Sequence, residues 1–195
     1  MNSEIQRKLE IYQNLLVKWQ KSVNLVAPST LESAWERHFE DSLQVSFFLK
    51  PMHKIIVDLG SGAGFPGLVT AILKPEKQIH LIESDQKKCA FLKTVSRETE
   101  CQNVTIHNDR VEKVLKSLAP HVITARAFAS LIDILDYVSV VLPNQDLRLI
   151  LHKGRNAKTE IIDAQERYDF ACDIHQSSIE EDSFVLKIWD IVKKS

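Results

Sequence analysis

Between Ile55 and Gly67 the chain reads IIVDLGSGAGFPG, and four of its five glycines, Gly60, Gly62, Gly64 and Gly67, fall in that stretch. Glycine alone accepts positive φ freely and leaves bare backbone for a ligand to approach, so the concentration marks a turn built for close contact. Strand-like residues Ile55, Ile56 and Val57 precede it, and a helical apolar run, Leu68–Leu73, follows. The helix start supplies unpaired N–H groups and the positive end of a dipole, and Pro66 suits its first turn. The pattern is that of a nucleotide- or nucleoside-binding turn.

Two ligand classes compete for it. Gly62-Ala63-Gly64-Phe65-Pro66-Gly67 satisfies G-x-G-x-x-G, which leaves NAD or FAD open. Gly60 to Gly64 also satisfies the tighter G-x-G-x-G, with Asp58 two positions ahead of the first glycine. A carboxylate there repels a pyrophosphate. It suits S-adenosylmethionine, which has no phosphate and carries a cationic sulfonium and a cationic amino group. The spacing favours the methyl donor, although Asp58 can equally cap the loop's own N–H groups.

The ends of the following strand-like runs carry the next reactive groups. IHLIES ends at Glu83, an acid able to take both hydroxyls of a ribose, with Ser84 or Asp85 free to cap the helix behind it. The next run ends in His107-Asn108-Asp109-Arg110-Val111-Glu112, where an adenine would be read; Glu112 also suits a helix's first turn. HVITAR ends at Arg126, and an arginine closing a buried strand needs a carboxylate or a substrate as partner. No Asn/Asp-Pro-Pro-aromatic run and no strand-end Pro-Cys is present, which leaves exocyclic adenine methylation and cysteine-adduct chemistry unsupported. A ring nitrogen with an in-plane lone pair, such as guanine N7, attacks a sulfonium methyl directly and needs alignment more than a base.

These groups need a scaffold to hold them. Strands are expected at Ile55–Leu59, Gln78–Glu83, Asn103–His107, His121–Ala125 and Arg148–His152. Helices are expected at Pro66–Leu73, Gln86–Glu98, Val111–Leu118, Leu131–Val141 and Ala157–Tyr168. The alternation predicts an α/β fold, a mostly parallel sheet with helices on both faces. Two last strand-like runs, Asp169–His175 and Phe184–Asp190, flank the acidic turn Glu180-Glu181-Asp182. A closing hairpin of this kind matches the seven-stranded sheet with one antiparallel strand of the Rossmann-like (class I) methyltransferases. Upstream, residues 4–20 show one apolar stripe, and a second helix is expected from a Ser29 or Thr30 cap through Leu31, Trp35, Phe39, Leu43 and Phe47. The division expected is a helical N-terminal extension, 1–50, packed on a core domain, 51–195.

Composition sets the outer bounds. An apolar fraction of 44% is globular, and a net charge of −1 means that any nucleic-acid contact must be a local patch. Cys89, Cys101 and Cys172 show no pairing or zinc spacing and fit free thiols, so neither a disulfide nor a metal is expected. No stretch reads as a leader or membrane span, which points to a soluble cytoplasmic protein without membrane or DNA partners, working as a monomer. The basic candidates for RNA contact are Lys153, Arg155 and Lys158, at the cleft edge, and a second group, Lys87, Lys88, Lys93 and Arg97.

DLGSGAGFPG, the acid of IES, DRVE, ARAFASL, and upstream NLVAPS and RHFEDSL together resemble one family, over about Asn24 to Lys158. It is the RsmG family (glucose-inhibited division protein B), bacterial methyltransferases of guanine N7 in small-subunit (16S) ribosomal RNA. The resemblance implies S-adenosylmethionine held by Gly60, Phe65, Val111, Glu112 and Arg126, with Glu83 toward the ribose and Gly62 and Gly64 in the same loop. It also implies that Asn24, Arg37, His38, Asp41 and Ser42 face the cleft. Because a guanine must be exposed for its N7 to be reached, the substrate expected is rRNA in an assembled or partly assembled small subunit. Other readings are a small-molecule methyltransferase, a non-catalytic module that keeps the turn for packing, and a nicotinamide enzyme.

Overall fold

The computed structural model describes residues 2–142 and 146–194. Helix α1 (Ser3–Gln20) starts where the Asn2 side chain accepts the Ile5 N–H, and it buries Leu9, Tyr12 and Leu16 along its apolar stripe. The second helical segment departs from expectation. A 3₁₀ turn (Pro28–Thr30) is followed by a π-wound turn (Trp35–Glu40), then α2 (Asp41–Leu43) and α3 (Val45–Phe48). Thr30 caps nothing; its hydroxyl donates to the Ala27 carbonyl at 2.8 Å. A π turn spaces its bonds at i→i+5 and shifts the apolar stripe out of register, so Phe39 is fully buried while Phe47 is 81% exposed.

From Ile55 the alternation is regular: β1 (Ile55–Leu59), α4 (Gly67–Leu73), β2 (Gln78–Ile82), α5 (Gln86–Glu98), β3 (Val104–His107) and α6 (Val111–Val114). There follow β4 (Val122–Arg126), α7 (Leu131–Val138), β5 (Arg148–Lys153), α8 (Ala157–Gln165), β6 (Tyr168–Gln176) and β7 (Phe184–Lys193). The strand order is β3-β2-β1-β4-β5-β7-β6, with β7 antiparallel to both neighbours and the other strands parallel. This is the expected seven-stranded arrangement. Tyr168 opens β6 instead of ending α8, because its ring belongs to the core under α7 and α8.

Two apolar layers sandwich the sheet. Leu9, Tyr12, Phe39, Leu68 and Phe91 fill one, so the N-terminal segment shares its core with α4 and α5. Val57, Ile123, Leu135, Leu149 and Tyr168 fill the other. Cys89, Cys101 and Cys172 are free thiols. Among the described residues no helix is long and apolar enough to cross a membrane. Chain order reverses between β1 and β4, and in such sheets the crevice at the C-terminal strand ends beside that switch takes the ligand.

Candidate functional site

A cavity of about 990 Å³ opens at those strand ends. Its floor is the turn after β1, where Gly60, Gly62 and Gly64 hold φ of +60°, +55° and +93°. At Gly60 a Cβ would stand 2.1 Å from the Phe128 ring, so both conformation and space demand glycine. At Gly62 there is room, and its N–H donates to Glu83 Oε2 at 2.8 Å. The other Glu83 oxygen accepts the Asp85 N–H at 2.8 Å, which fixes the carboxylate beside the turn. Asp85 caps α5 by accepting the Lys87 and Lys88 N–H groups, so Glu83 is free of that duty. Val111 and Glu112, at the start of α6, form the adjoining wall.

Asp58 lies elsewhere than its spacing indicated. Its carboxylate is fully buried beneath the turn, off the cavity wall, with the Thr124 hydroxyl donating to Oδ1 at 2.7 Å and Oδ2 without a hydrogen-bond partner. Burial pushes its pKa up to about 6, against the opposing pull of the Thr124 hydrogen bond and the Arg126 charge. Its negative charge reaches the cavity only through the turn. Gly64 is likewise packed behind the turn, facing Tyr12 and Leu68.

Opposite the turn stands a buried polar group centred on Arg126. Its guanidinium lies 4.9 Å from the centroid of the Phe65 ring, donates to the Arg37 carbonyl at 3.1 Å and lies 3.7 Å from Asp41 Oδ2. Asp41 also faces His152, whose Nε2 is 3.1 Å from the Asp41 carbonyl. A carbonyl only accepts, so Nε2 carries the proton, and burial lowers the ring's pKa. His38 meets Thr30 Oγ1 at 2.9 Å, and burial, with Arg126 and Arg37 nearby, lowers its pKa to about 4. Two neutral imidazoles, the Asp41 carboxylate and the guanidinium groups of Arg126 and Arg37 therefore line this wall.

Residues 5–183 match the family model GidB, described as rRNA small subunit methyltransferase G. The chain belongs to the GidB family. It is 44% identical, over 96% of its length and 93% of the relative's, to the ribosomal RNA small subunit methyltransferase G of Rhizobium rhizogenes. The protein of that name from Sinorhizobium medicae is 40% identical over 100% of this chain and 93% of its own. Among solved structures, a SAM-dependent methyltransferase from Aquifex aeolicus aligns with a TM-score of 0.62 at 12% identity, covering 85% of this chain and 94% of that one. That likeness concerns the fold.

Not every residue expected at the cleft of this GidB chain reaches it. Arg37, His38 and Asp41 do; Ser42 is fully buried and donates to the His38 carbonyl, and Asn24, Arg155 and Lys158 are exposed and lie off the cavity wall. Lys153 lines the wall, but its ammonium is buried and donates to the Ala129 carbonyl at 2.6 Å and to Glu160 at 2.7 Å, which commits it internally rather than to a phosphate. Arg155 follows Gly154 of the wall and lies 3.7 Å from Asp182. Tyr12 gave no chemical sign in the sequence, and Phe128 entered only within the ARAFASL run. His152 was reachable by the strand-end rule, since it pairs in register with Arg126.

Proposed function

We propose that this chain transfers the methyl group of S-adenosylmethionine to N7 of a guanine in small-subunit ribosomal RNA, without a covalent intermediate. Membership of the GidB family supports the reaction, and the observation that carries the residue roles is the pairing of the Gly60–Gly64 turn with the Glu83 carboxylate on one cavity floor. Bare backbone and an acid beside it suit the donor's methionyl and ribose portions. When bound, the donor supplies an electrophilic methyl group on a cationic sulfur.

The chain's own groups then bind and align. Gly60 and the turn lie along the methionyl portion, Glu83 accepts from the ribose, and Val111 and Glu112 border the adenine. Arg126 and Phe65 face the reacting guanine, whose N7 lone pair is free at neutral pH. No side chain needs to remove a proton; neutral His38 and His152 and the fixed Arg126 exclude water and orient the base. The same reading has the chain working as a cytoplasmic monomer on RNA, not on DNA or a membrane surface.

The test is incorporation of labelled methyl groups into small subunits, and into deproteinised RNA, from cells lacking this protein. The expected result is label at one guanine, released by chemistry selective for N7-methylguanine. Label found only in small metabolites, or none above a Gly62→Asp variant, would overturn the proposal.

A further inference from the structure

The turn between β6 and β7 crosses the cavity entrance, where Glu180 and Ser183 form part of the wall. It carries Glu180, Glu181 and Asp182 in succession. Two of these acids hold arginines from distant parts of the chain. Glu180 pairs with Arg37 of the π-wound turn, and Asp182 stands 3.7 Å from Arg155, just beyond β5. The base of the turn is fastened separately: the Ser177 hydroxyl donates to Asp41 Oδ1 at 3.1 Å, and Gln44 accepts the Ser178 N–H at 3.2 Å.

Base and tip differ in kind. Ser177 is buried, whereas Arg37 and Arg155 keep 40% and 78% of their side-chain surface exposed. Exposed pairs of this type each contribute at most about fivefold to an equilibrium, so another anion can displace them without disturbing the base. A guanidinium accepts a carboxylate or a phosphate on the same fork of N–H donors. We propose that the 180–182 turn is a phosphate-mimicking strap, and that rRNA docks at the entrance by exchanging its backbone phosphates for Glu180 on Arg37 and for Asp182 on Arg155. This rests on the rRNA reading above.

Two features favour a polyanion as occupant. The chain's net charge is −1, so bulk attraction is absent and capture needs a local exchange. The two arginines come from separate elements, the π-wound turn and the segment just beyond β5, and a backbone carrying successive phosphates presents an anion to each. Arg37 also reaches inward: its carbonyl accepts from Arg126 at 3.1 Å, so the residue that meets RNA outside holds the guanidinium over Phe65 inside.

The test is a double-variant cycle with the full chain: Glu180→Gln/Asp182→Asn, Arg37→Gln/Arg155→Gln, and all four together. Binding to a small-subunit rRNA fragment is followed by fluorescence anisotropy over about 50–200 mM salt. Removing the two acids is expected to tighten binding about threefold to tenfold at the low-salt end and to steepen the salt dependence. In the arginine-free background the same change is expected to alter affinity by less than about twofold. Thermal melting and affinity for S-adenosylmethionine confirm that each variant is folded. Equal gains in both backgrounds, or no gain in the native one, would overturn the exchange while leaving the methyltransfer reading intact. Native chain that neither binds nor methylates the rRNA would overturn both.

Discussion

The hydroxyl of Tyr12 donates to the carbonyl of Ala63, tying helix α1 to the glycine turn, and the Tyr12 ring stacks on Phe65 with centroids 5.2 Å apart. Tyr12 is fully buried, and burial raises its pKa well above the ordinary value, with Arg126 opposing, so it remains a donor at every physiological pH. The N-terminal helix is therefore a wall of the site's foundation as well as a cover for the sheet. It fixes one carbonyl of the turn and supports the ring beneath Arg126.

Tyr12→Phe tests that role while keeping the ring. It leaves a buried carbonyl without its donor, a loss of about 1–3 kcal/mol. At about 2–4 °C per kcal/mol for a chain of this size, the melting temperature is expected to fall by about 2–12 °C. Affinity for S-adenosylmethionine should weaken by up to about tenfold, read by titration calorimetry. Unchanged melting and affinity would show that the bond contributes nothing.

Gly60→Ala separates strain from crowding. The alanine would sit at φ +60° with its Cβ 2.1 Å from Phe128, and left-handed backbone alone costs a non-glycine residue about 1–3 kcal/mol. Donor binding is expected to be lost. Adding Phe128→Ala should restore part of it by removing the clash and leave the backbone cost in place. Full recovery in the double variant would mean that the positive φ carries no weight.

The strands, the glycine turn, the strand-end acid Glu83 and the Asp85 cap were legible because each is written locally, in apolar period, turn residues and capping chemistry. The second helical segment was not. Its stripe of Leu31, Trp35, Phe39, Leu43 and Phe47 reads as one α-helix, and nothing in that spacing announces the π-wound turn that leaves Phe47 exposed. Lys153 misled because its partner Glu160 lies in the next element, which turns an apparent surface cation into a buried pair. Asp58 misled in the opposite sense, since sequence distance from the glycines says nothing of which side of the turn a carboxylate occupies. Tyr12 was silent because it acts through a contact made only when distant segments pack, on Ala63; His152 stood at an expected strand end, but its partner Asp41 is likewise set only by packing.

Arg126→Lys keeps the charge and removes the shape. One ammonium cannot lie over Phe65, donate to the Arg37 carbonyl and face Asp41 together, as the planar guanidinium does. Misplacing a group that orients the reacting base costs on the order of 100-fold, so kcat/KM for rRNA methylation is expected to drop by about that factor. The chain should still fold, and near-native turnover in the lysine variant would show that charge alone suffices.

Asp58 and the buried histidines titrate in the same acid window with opposite sign. Burial raises Asp58 to about 6, so between pH 6 and 4 the folded chain takes up that proton before the unfolded chain does. Acidification through this range therefore favours the fold at Asp58, by about 3 kcal/mol when complete. His38 and His53 are lowered to about 4, chiefly by burial, and His152 is lowered by the same cause. These rings protonate first in the unfolded chain, so their contribution is intact above pH 6.5 and is lost as pH falls toward 4. Three rings outweigh one carboxyl, and the melting temperature is expected to decline from pH 7 to pH 5. Asp58→Asn removes the compensating proton uptake and should make that decline steeper; His38→Gln removes one opposing ring and should make it shallower. Calorimetric melts of the three proteins at matched pH steps decide the matter, and parallel curves for native protein and Asp58→Asn would refute the assignment of the carboxyl.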